Sequence, residues 1–355
     1  MENGPAAAEG SWPMIPLKKA MARVKVYLPT YRRHEMLPRA IESLLNQTFT
    51  DWECEVHNDD PEDPFPGELV EKARDPRIRI VNHPKNLGGA ATMNAFYAPA
   101  KEEFVSILED DNWWEPEFLE EMVRAAESYP HVSVFWSNMR IWQEQADGSF
   151  IFMGKETYPE KTGKIYEEFW WPDEKQILGA IHSNGACLIK SCPPRDYRIP
   201  DCPQALIENF RERKFPQPLL LVRKPLANFS RTKSTGRSVS DKNWGEASAV
   251  LAAVFFKEAR WSDQRMKEII EKGRCTSPPQ TNALLNSAIV EPKCRSFLKF
   301  TNPWEKIRWV LGNLKRPRTL IALLRSKKEH PEWWRFLEKH TSERFAEARK
   351  RSEIK

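Results

Sequence analysis

Hydrophobic and polar positions alternate with two different periods along the first third of the chain, and each period predicts a different element. Short apolar runs that end at polar residues or proline predict strands at 23–28, 52–57, 77–82 and 103–108. Apolar residues three and four positions apart predict helices between them, at 34–46, 67–73 and 89–98. Strands that alternate with helices form right-handed βαβ units. The pattern therefore predicts an α/β fold with a mostly parallel sheet flanked by helices.

Polar residues follow three of these strands at the point where each strand ends. Thr30 follows the first strand, Asp59 follows the second, and Asp111 ends the acidic turn 109–111 after the fourth. The carboxyl ends of parallel strands share one edge of a sheet, where ligands bind, so these segments are expected to converge on one crevice. Carboxylates there can hold a hard divalent cation and, through it, a diphosphate. Read alone, the acidic turn also fits a solvated loop start or a helix cap.

Five short motifs stand in order along the same region. They are Val-Tyr-Leu-Pro-Thr-Tyr-Arg-Arg (26–33), Ser-Leu-Leu-Asn-Gln-Thr-Phe-Thr-Asp-Trp-Glu (43–53), Asn-Asp-Asp (58–60), Asn-Leu-Gly-Gly (86–89) with Asn94, and Leu-Glu-Asp-Asp-Asn (108–112). In order and spacing they resemble the landmarks of family 2 inverting glycosyltransferases of the GT-A fold, closest in style to the spore-coat polysaccharide type. The resemblance implies a Rossmann-like, nucleotide-diphospho-sugar transferase domain at 23–240, followed by a helical C-terminal region at 241–355.

The resemblance implies a nucleotide-binding set in the first half of the chain. Asp59 would accept from the imide N–H of the base, Asp110 would contact hydroxyls of the ribose or sugar, and Asp111 would bind Mn²⁺ or Mg²⁺. The other residues that it places against the nucleotide are Pro29, Thr30, Tyr31 and Asn86. A cation there would take up the charge that develops on a diphosphate leaving group. A UDP-sugar is the expected donor.

The acceptor side and the base are expected in the second half. Segment 179–190, with His182, Ser183 and Asn184, resembles the part of the family that closes over the donor sugar. Asp201 matches the family's catalytic base, which would accept the proton of the acceptor hydroxyl as its oxygen attacks C1 and inverts the anomeric centre. From the residues alone, Asp201 is better explained as a helix cap before Pro203. Asp196 and Glu208 are the reserve candidates for the base, because spacing in this segment varies.

The chain also departs from the family pattern. Met93 stands where the family commonly has Arg before the Asn that corresponds to Asn94, and Glu109 replaces the usual first Asp or Thr. Segment 228–237 resembles the family's closing segment without its frequent His, so Arg231, Lys233 and Arg237 are expected either to contact phosphate or to form a solvated basic loop.

Fourteen tryptophans raise the possibility of flat stacking surfaces for sugars. Position favours Trp113, next to the acidic turn, and Trp170, before the expected acceptor segment. Core packing is nevertheless the commoner fate of Trp.

Charge is distributed unevenly along the chain. Residues 301–355 carry 15 Lys and Arg against 7 Asp and Glu, a net +8, which leaves −3 for residues 1–300 out of the total of +5. Basic residues alternate there with Trp and Leu, and helices of this kind can lie in a membrane interface and bind anionic lipid. The alternative is a helical pair that packs on the catalytic domain and exposes a basic face. Nucleic-acid binding is disfavoured, because an acidic crevice repels phosphate without a metal and no recognition motif is present.

The composition of the chain also bears on where in the cell the protein is expected. Residues 1–22 lack the basic start and apolar core of a signal peptide and are expected to be a disordered tail. No apolar run reaches the 18 or so residues of a membrane span. The six cysteines lack the close spacing of a zinc site, so reduced thiols are expected. These features predict a cytoplasmic protein, soluble or peripheral at the inner face of the membrane.

Together the sequence predicts a metal-dependent inverting glycosyltransferase that moves a sugar from a nucleotide-diphosphate donor to a carbohydrate or glycolipid acceptor in polysaccharide or glycolipid synthesis. No Gly-x-Gly-x-x-Gly follows the first strand and no phosphate-loop lysine motif is present, which disfavours dinucleotide and P-loop enzymes. The alternative, to which Met93 and the missing His point, is a catalytically silent carbohydrate-binding or scaffold protein that keeps the fold.

Overall fold

The computed structural model describes residues 21–159, 163–191, 195–232, 243–276 and 280–353. The strands are β1 (Val24–Thr30), β2 (Trp52–Asn58), β3 (Ile78–Asn82), β4 (Phe104–Ile107), β5 (Trp113–Trp114), β6 (Val134–Glu144), β7 (Phe150–Glu156), β8 (Tyr166–Phe169), β9 (Cys187–Lys190) and β10 (Leu219–Arg231). The helices are α1 (Leu37–Leu45), α2 (Phe65–Ala73), α3 (Gly89–Phe96), α4 (Phe118–Ser128), α5 (Ile207–Glu212), α6 (Trp244–Ala259), α7 (Asp263–Cys275), α8 (Thr281–Val290), α9 (Ser296–Lys299), α10 (Pro303–Lys315), α11 (Pro317–Glu329) and α12 (Pro331–Glu353).

The strands form one mixed sheet in the order β3-β2-β1-β4-β9-β6-β10-β5. Strands β3, β2, β1 and β4 run parallel, as predicted, and each is followed or preceded by a crossover helix. Strand β9 is antiparallel to both of its neighbours, β4 and β6, and β6 and β10 run parallel to each other. The predicted α/β fold with a largely parallel central sheet is confirmed, and its carboxyl edge faces one side of the molecule.

The amphipathic pattern of α1 explains how the first helix covers the sheet. Leu37, Ala40, Ile41 and Leu44 are buried at the spacing of one helical face, and they pack in the core with the buried residues of β1 and β2. This packing fixes where the loop between β1 and α1 leaves the sheet.

The C-terminal region is helical from Trp244 onward, as predicted. Helix α6 is apolar on all sides, and its run from Ala247 to Phe256 is buried between two hydrophobic clusters. Helix α12 packs on the cluster around α6 with Trp333, Trp334 and Leu337. No helix in the described parts of the chain is both long and apolar enough to cross a membrane.

Candidate active site

The carboxyl ends of β2, β1 and β4 meet in one crevice, because these strands are parallel neighbours in the sheet. The crevice encloses a cavity of about 420 Å³. Seven residues expected from the sequence line it, namely Pro29, Thr30, Tyr31, Asp59, Asn86, Asp110 and Asp111. The first turn of α3 also lines it, through Gly88, Gly89, Thr92 and Met93. The end of a helix with free backbone N–H groups can contribute to anion binding at such a wall.

Asp59 is buried and its carboxylate is largely occupied within the protein. Oδ1 accepts from the backbone N–H of Leu87 at 2.8 Å and lies 2.9 Å from His83 Nδ1, and Oδ2 accepts from the backbone N–H of Gly88 at 3.0 Å. Gly88 has a φ of +77°, a conformation that favours glycine. Asp59 therefore holds the 86–89 loop against the crevice. A carboxylate has about four acceptor positions, so one remains on Oδ2 for a ligand.

Behind Asp59, two buried histidines continue a chain of polar contacts away from the crevice. His83 Nε2 lies 3.0 Å from His57 Nδ1, and His57 Nε2 lies 3.2 Å from Glu55 Oε2. With the bond to Asp59, the chain contains three contacts that each need one ring proton. These contacts link Asp59, through both imidazole rings, to Glu55.

The acidic turn brings two carboxyl groups together at the floor of the crevice. Burial and the neighbouring Asp111 raise the pKa of Asp110 to about 7, whereas Arg33 acts in the opposite direction. A bound cation would relieve this repulsion, and carboxylate oxygens are the donors that Mg²⁺ and Mn²⁺ accept. Within the described ranges, no group of three or more His, Cys, Asp or Glu side chains is arranged to hold a metal by itself. The donor chemistry of Asp110 and Asp111 fits a divalent cation.

A glycine allows the 183–186 turn to lie directly on the acidic turn. A Cβ at Gly185 would lie 2.5 Å from Glu109 Oε2 and 2.8 Å from Asn112 Nδ2. The Asn112 amide bonds Glu109 at 2.8 Å and accepts from the backbone N–H of Ser230 at 3.0 Å, so it has little freedom to move. This contact joins the acidic turn to the second half of the chain.

Two further cavities continue from the crevice towards the C-terminal region. One of about 120 Å³ shares Asp111, Gln204 and other residues with the crevice, and it includes Asn184 and Glu208. The other, of about 330 Å³, is lined by residues that include His182, Ser183, Tyr158 and Trp244. Glu208 lines both of these cavities, and its Oε1 accepts from the backbone N–H of Asn184 at 3.0 Å. The predicted segment 182–184 therefore reaches the site, and Glu208 lies at its junction.

Asp201 and Asp196, the two other carboxylates considered for the base, do not line these cavities. Asp201 is exposed, lines none of the three cavities described above, and its carbonyl oxygen accepts from Trp333 Nε1 at 2.6 Å. Asp201 is also not the residue that precedes the first helical turn of 204–206, which is Pro203. The hydrogen bond from Arg198 lowers the pKa of the half-exposed Asp196, which makes it a weaker proton acceptor.

The tryptophans favoured from the sequence are engaged with protein groups. The guanidinium of Arg39 lies 3.9 Å from the ring centre of Trp113, and the same guanidinium bonds the carbonyl oxygen of Asp111 at 2.8 Å. The guanidinium of Arg351 lies 4.2 Å from the ring centre of Trp170. Neither Trp lines the three cavities. Trp113 thus supports the acidic turn indirectly, through Arg39.

Several residues of the site were not assigned a role from the sequence. Arg33 and Gln204 line both the crevice and the adjoining small cavity, and Phe229 and Trp244 line the cavities beyond it. Arg33 stands inside a recognised motif, so its position was a usable signal. Phe229 lies in segment 228–237, which resembles the family's closing segment, whereas Gln204 and Trp244 carried no signal, because tertiary packing alone brings them to these cavities. Lys233 and Arg237, expected near phosphate, lie outside the described residues, and Arg231 ends β10.

Comparisons with known proteins point to one kind of enzyme domain. Residues 25–174 match the model of "Glycosyl transferase family 2". The chain is 32% identical over 104 residues to the putative glycosyltransferase EpsH of Bacillus subtilis (strain 168), which is 29% of this chain and 30% of that protein. It is 30% identical over 95 residues to the putative colanic acid biosynthesis glycosyl transferase WcaA of Escherichia coli (strain K12), which is 26% of this chain and 34% of that protein. The chain thus matches about a third of the length of these relatives.

Among solved structures, residues 1–349 of S. aureus TarS in complex with UDP-GlcNAc superpose with a TM-score of 0.55 at 16% identity, over 93% of this chain and 92% of that one. At this identity the likeness shows the fold. Motifs, topology and family match point the same way: residues 25–174 are similar to a glycosyl transferase family 2 domain, and the chain has a GT-A-like fold.

Proposed function

We propose that this protein is a glycosyltransferase that moves a sugar from a nucleoside-diphosphate donor to a hydroxyl of a carbohydrate or glycolipid acceptor, with inversion at the anomeric carbon. The observation that carries the proposal is the series of cavities that runs from Asp59 and the acidic turn, past Glu208, to Trp244. A donor and an acceptor can therefore lie on opposite sides of one carboxylate. The name of the relative WcaA, which refers to colanic acid biosynthesis, supports an acceptor of the polysaccharide class.

The nucleotide would occupy the 420 Å³ crevice. The free acceptor position of Asp59 suits a base that presents an imide N–H, as uracil does, and Thr30, Tyr31 and Asn86 line the same wall. This arrangement supports a UDP-sugar as the donor. Asp110 would accept from a hydroxyl of the ribose or sugar, and Arg33 would offset part of the negative charge of the diphosphate.

Asp111, with Asp110 beside it, would hold Mn²⁺ or Mg²⁺ together with oxygens of the diphosphate. The cation would supply charge neutralisation on the leaving group. Arg39 fixes the backbone of Asp111 through its 2.8 Å hydrogen bond, so the carboxylate is held at the cavity wall before a ligand arrives.

Glu208, rather than Asp201, is proposed as the general base. Glu208 lines both the 120 Å³ cavity that adjoins the crevice and the 330 Å³ cavity. The backbone N–H of Asn184 orients its carboxylate. There it would accept the proton of an acceptor hydroxyl as the oxygen attacks C1 of the donor sugar, while the bond from C1 to the diphosphate breaks. His182 and Ser183 line the acceptor side of the same cavity.

The experiment that tests this function is a panel of nucleotide sugars incubated with the protein and Mn²⁺ or Mg²⁺, with release of nucleoside diphosphate as the readout. We expect release from one donor, preferentially a UDP-sugar, and loss of that release in Asp111→Asn. Binding of nucleoside diphosphate without turnover of any donor, with or without oligosaccharide acceptors, would favour the catalytically silent alternative.

A further inference from the structure

Two consecutive helices of the C-terminal region each expose large apolar side chains. Helix α10 contains no buried residue. We name as the α10–α11 face the exposed residues Trp304, Ile307, Val310, Leu311, Leu314, Ile321 and Leu324. Trp304 is 77% exposed, Leu324 is 66% exposed and Leu314 is 64% exposed. Apolar groups of this size, collected on two adjacent helices, mark a surface that contacts something outside the chain.

In each helix, the exposed apolar residues lie on the side opposite to the one that packs on the domain. In α10, Trp309 donates to Asn286 Oδ1 at 2.8 Å and packs against the core, so this side of the helix is anchored. At 3.6 residues per turn, Trp304, Ile307, Leu311 and Leu314 lie on the opposite side, within an arc of roughly 120° that also includes Val310. The helix therefore carries two apolar faces, of which the protein covers one.

Helix α11 repeats the arrangement. Its buried residues are Leu323 and Ser326, which face the rest of the domain. Ile321 and Leu324 project from the opposite side and are 47% and 66% exposed. Helix α11 thus carries an exposed apolar stripe of its own, next to α10 in the chain.

Basic residues border this apolar stripe. Segment 303–329 contains eight Lys and Arg residues and two acidic residues, for a net charge of +6. Both acidic residues lie close to arginines, Glu305 with Arg274 at 2.7 Å and Glu329 with Arg325 at 3.9 Å. On the helical projection of α10, Arg308 and Lys315 flank the stripe on one side and Lys306 flanks it on the other. All eight Lys and Arg residues of the segment are exposed. Arg325 and Lys327 lie 3.9 Å from Glu329 and Glu338, respectively. The other six are Lys306, Arg308, Lys315, Arg316, Arg318 and Lys328.

We propose that the α10–α11 face docks on an anionic lipid surface, with its apolar side chains in the interface and its Lys and Arg residues at the lipid headgroups. The apolar stripe suits the hydrocarbon boundary of a bilayer, and the flanking cations suit its negatively charged headgroups. A second copy of this chain fits less well, because two faces of +6 would meet. This docking is independent of the proposed sugar transfer.

Helix α12 has a different part in this arrangement. Trp333, Trp334 and Leu337 are buried against the domain, so the most aromatic segment of the tail is a structural anchor. The same tail therefore contains one helix that packs on the domain, as one sequence interpretation expected, and two that present the docking face.

The test is co-sedimentation of the full-length protein with vesicles of phosphatidylcholine alone and of equimolar phosphatidylcholine and phosphatidylglycerol. Leu314→Asp is compared with Ile165→Asp, because both side chains are 64% exposed and Ile165 lies outside the face. We expect wild type and Ile165→Asp to bind the anionic vesicles and Leu314→Asp to bind at least roughly tenfold more weakly. Lys315→Glu should also weaken binding, and about 1 M salt should weaken binding of the wild type.

Three results would overturn the proposal. The first is a wild-type protein that ignores anionic vesicles at low salt, and the second is equal loss of binding in Leu314→Asp and Ile165→Asp. The third comes from sedimentation velocity without lipid, if the wild type is a dimer and Leu314→Asp is a monomer, because the face would then join two copies. Circular dichroism of each variant controls for folding, and nucleoside diphosphate binding to the variants should match wild type.

Discussion

Replacing Glu208 with Gln should remove proton acceptance from the proposed site while leaving its structure in place. The Gln carbonyl oxygen can still accept from the backbone N–H of Asn184, which Glu208 Oε1 now does at 3.0 Å. We therefore expect the free energy of unfolding to change by less than about 1 kcal/mol. Loss of a general base lowers turnover by roughly 10²–10⁴-fold, equivalent to about 3–5 kcal/mol of transition-state stabilisation.

The assay separates this effect from donor binding. Glu208 does not line the 420 Å³ crevice, so the affinity for nucleoside diphosphate, measured by calorimetry with Mn²⁺, should match that of wild type. Asp201→Asn and Asp196→Asn are the matched controls, because each removes a carboxylate of the same segment from an exposed position. Near wild-type turnover in Glu208→Gln, together with an inactive Asp201→Asn, would refute the assignment and return the base to the residue expected from the sequence.

Three further substitutions test the site. Gly185→Ala places a Cβ 2.5 Å from Glu109 Oε2, so it should cost about 1–3 kcal/mol in urea unfolding and weaken donor binding, while Gly67→Ala, with open space at its Cβ, should do neither. The pKa of Asp110 is about 7 in the folded protein and about 3.9 in the unfolded chain, so the folded state binds more protons and its stability falls as pH rises between these values. Asp110→Asn should remove this loss and be more stable than wild type at pH 8 in EDTA. An unchanged dependence of stability on pH would contradict this prediction. His83→Ala removes the 2.9 Å contact to Asp59 and should weaken nucleoside diphosphate binding roughly tenfold at unchanged kcat under saturating donor; a fall in kcat alone would show that the histidine acts elsewhere.

The parallel half of the fold could be predicted because its information is local. The apolar runs stop within two residues of the observed strand ends at Thr30, Asn58 and Ile107. The parallel arrangement then places Thr30, Asp59 and Asp111 together at one edge. The second half could not be placed in the same way, because Asp201 and Glu208 lie seven residues apart and local pattern does not show which carboxylate lines the cavities beyond the crevice. The packing of 204–212 between α3 and α6 makes that choice.

The C-terminal tail shows the same limit. Its composition indicates amphipathic helices, but the alternation of Trp, Leu, Lys and Arg does not separate a covered apolar face from an exposed one. Trp333 is buried because α12 packs on the domain, whereas Trp304 is exposed because Trp309 anchors the other side of its helix. Only the tertiary structure assigns each Trp to its surroundings.

The most direct test of the central claim follows the anomeric proton of the donor sugar by NMR while the protein, Mn²⁺, a UDP-sugar and a mixture of oligosaccharide acceptors react. We predict that the donor signal decays, that free UDP accumulates, and that a new glycosidic anomeric signal appears with the opposite configuration, none of which should occur with Asp111→Asn. A product with retained configuration would contradict the proposed single displacement assisted by Glu208. A donor signal that persists across the UDP-, GDP- and dTDP-sugars would contradict the assignment of sugar transfer to this crevice.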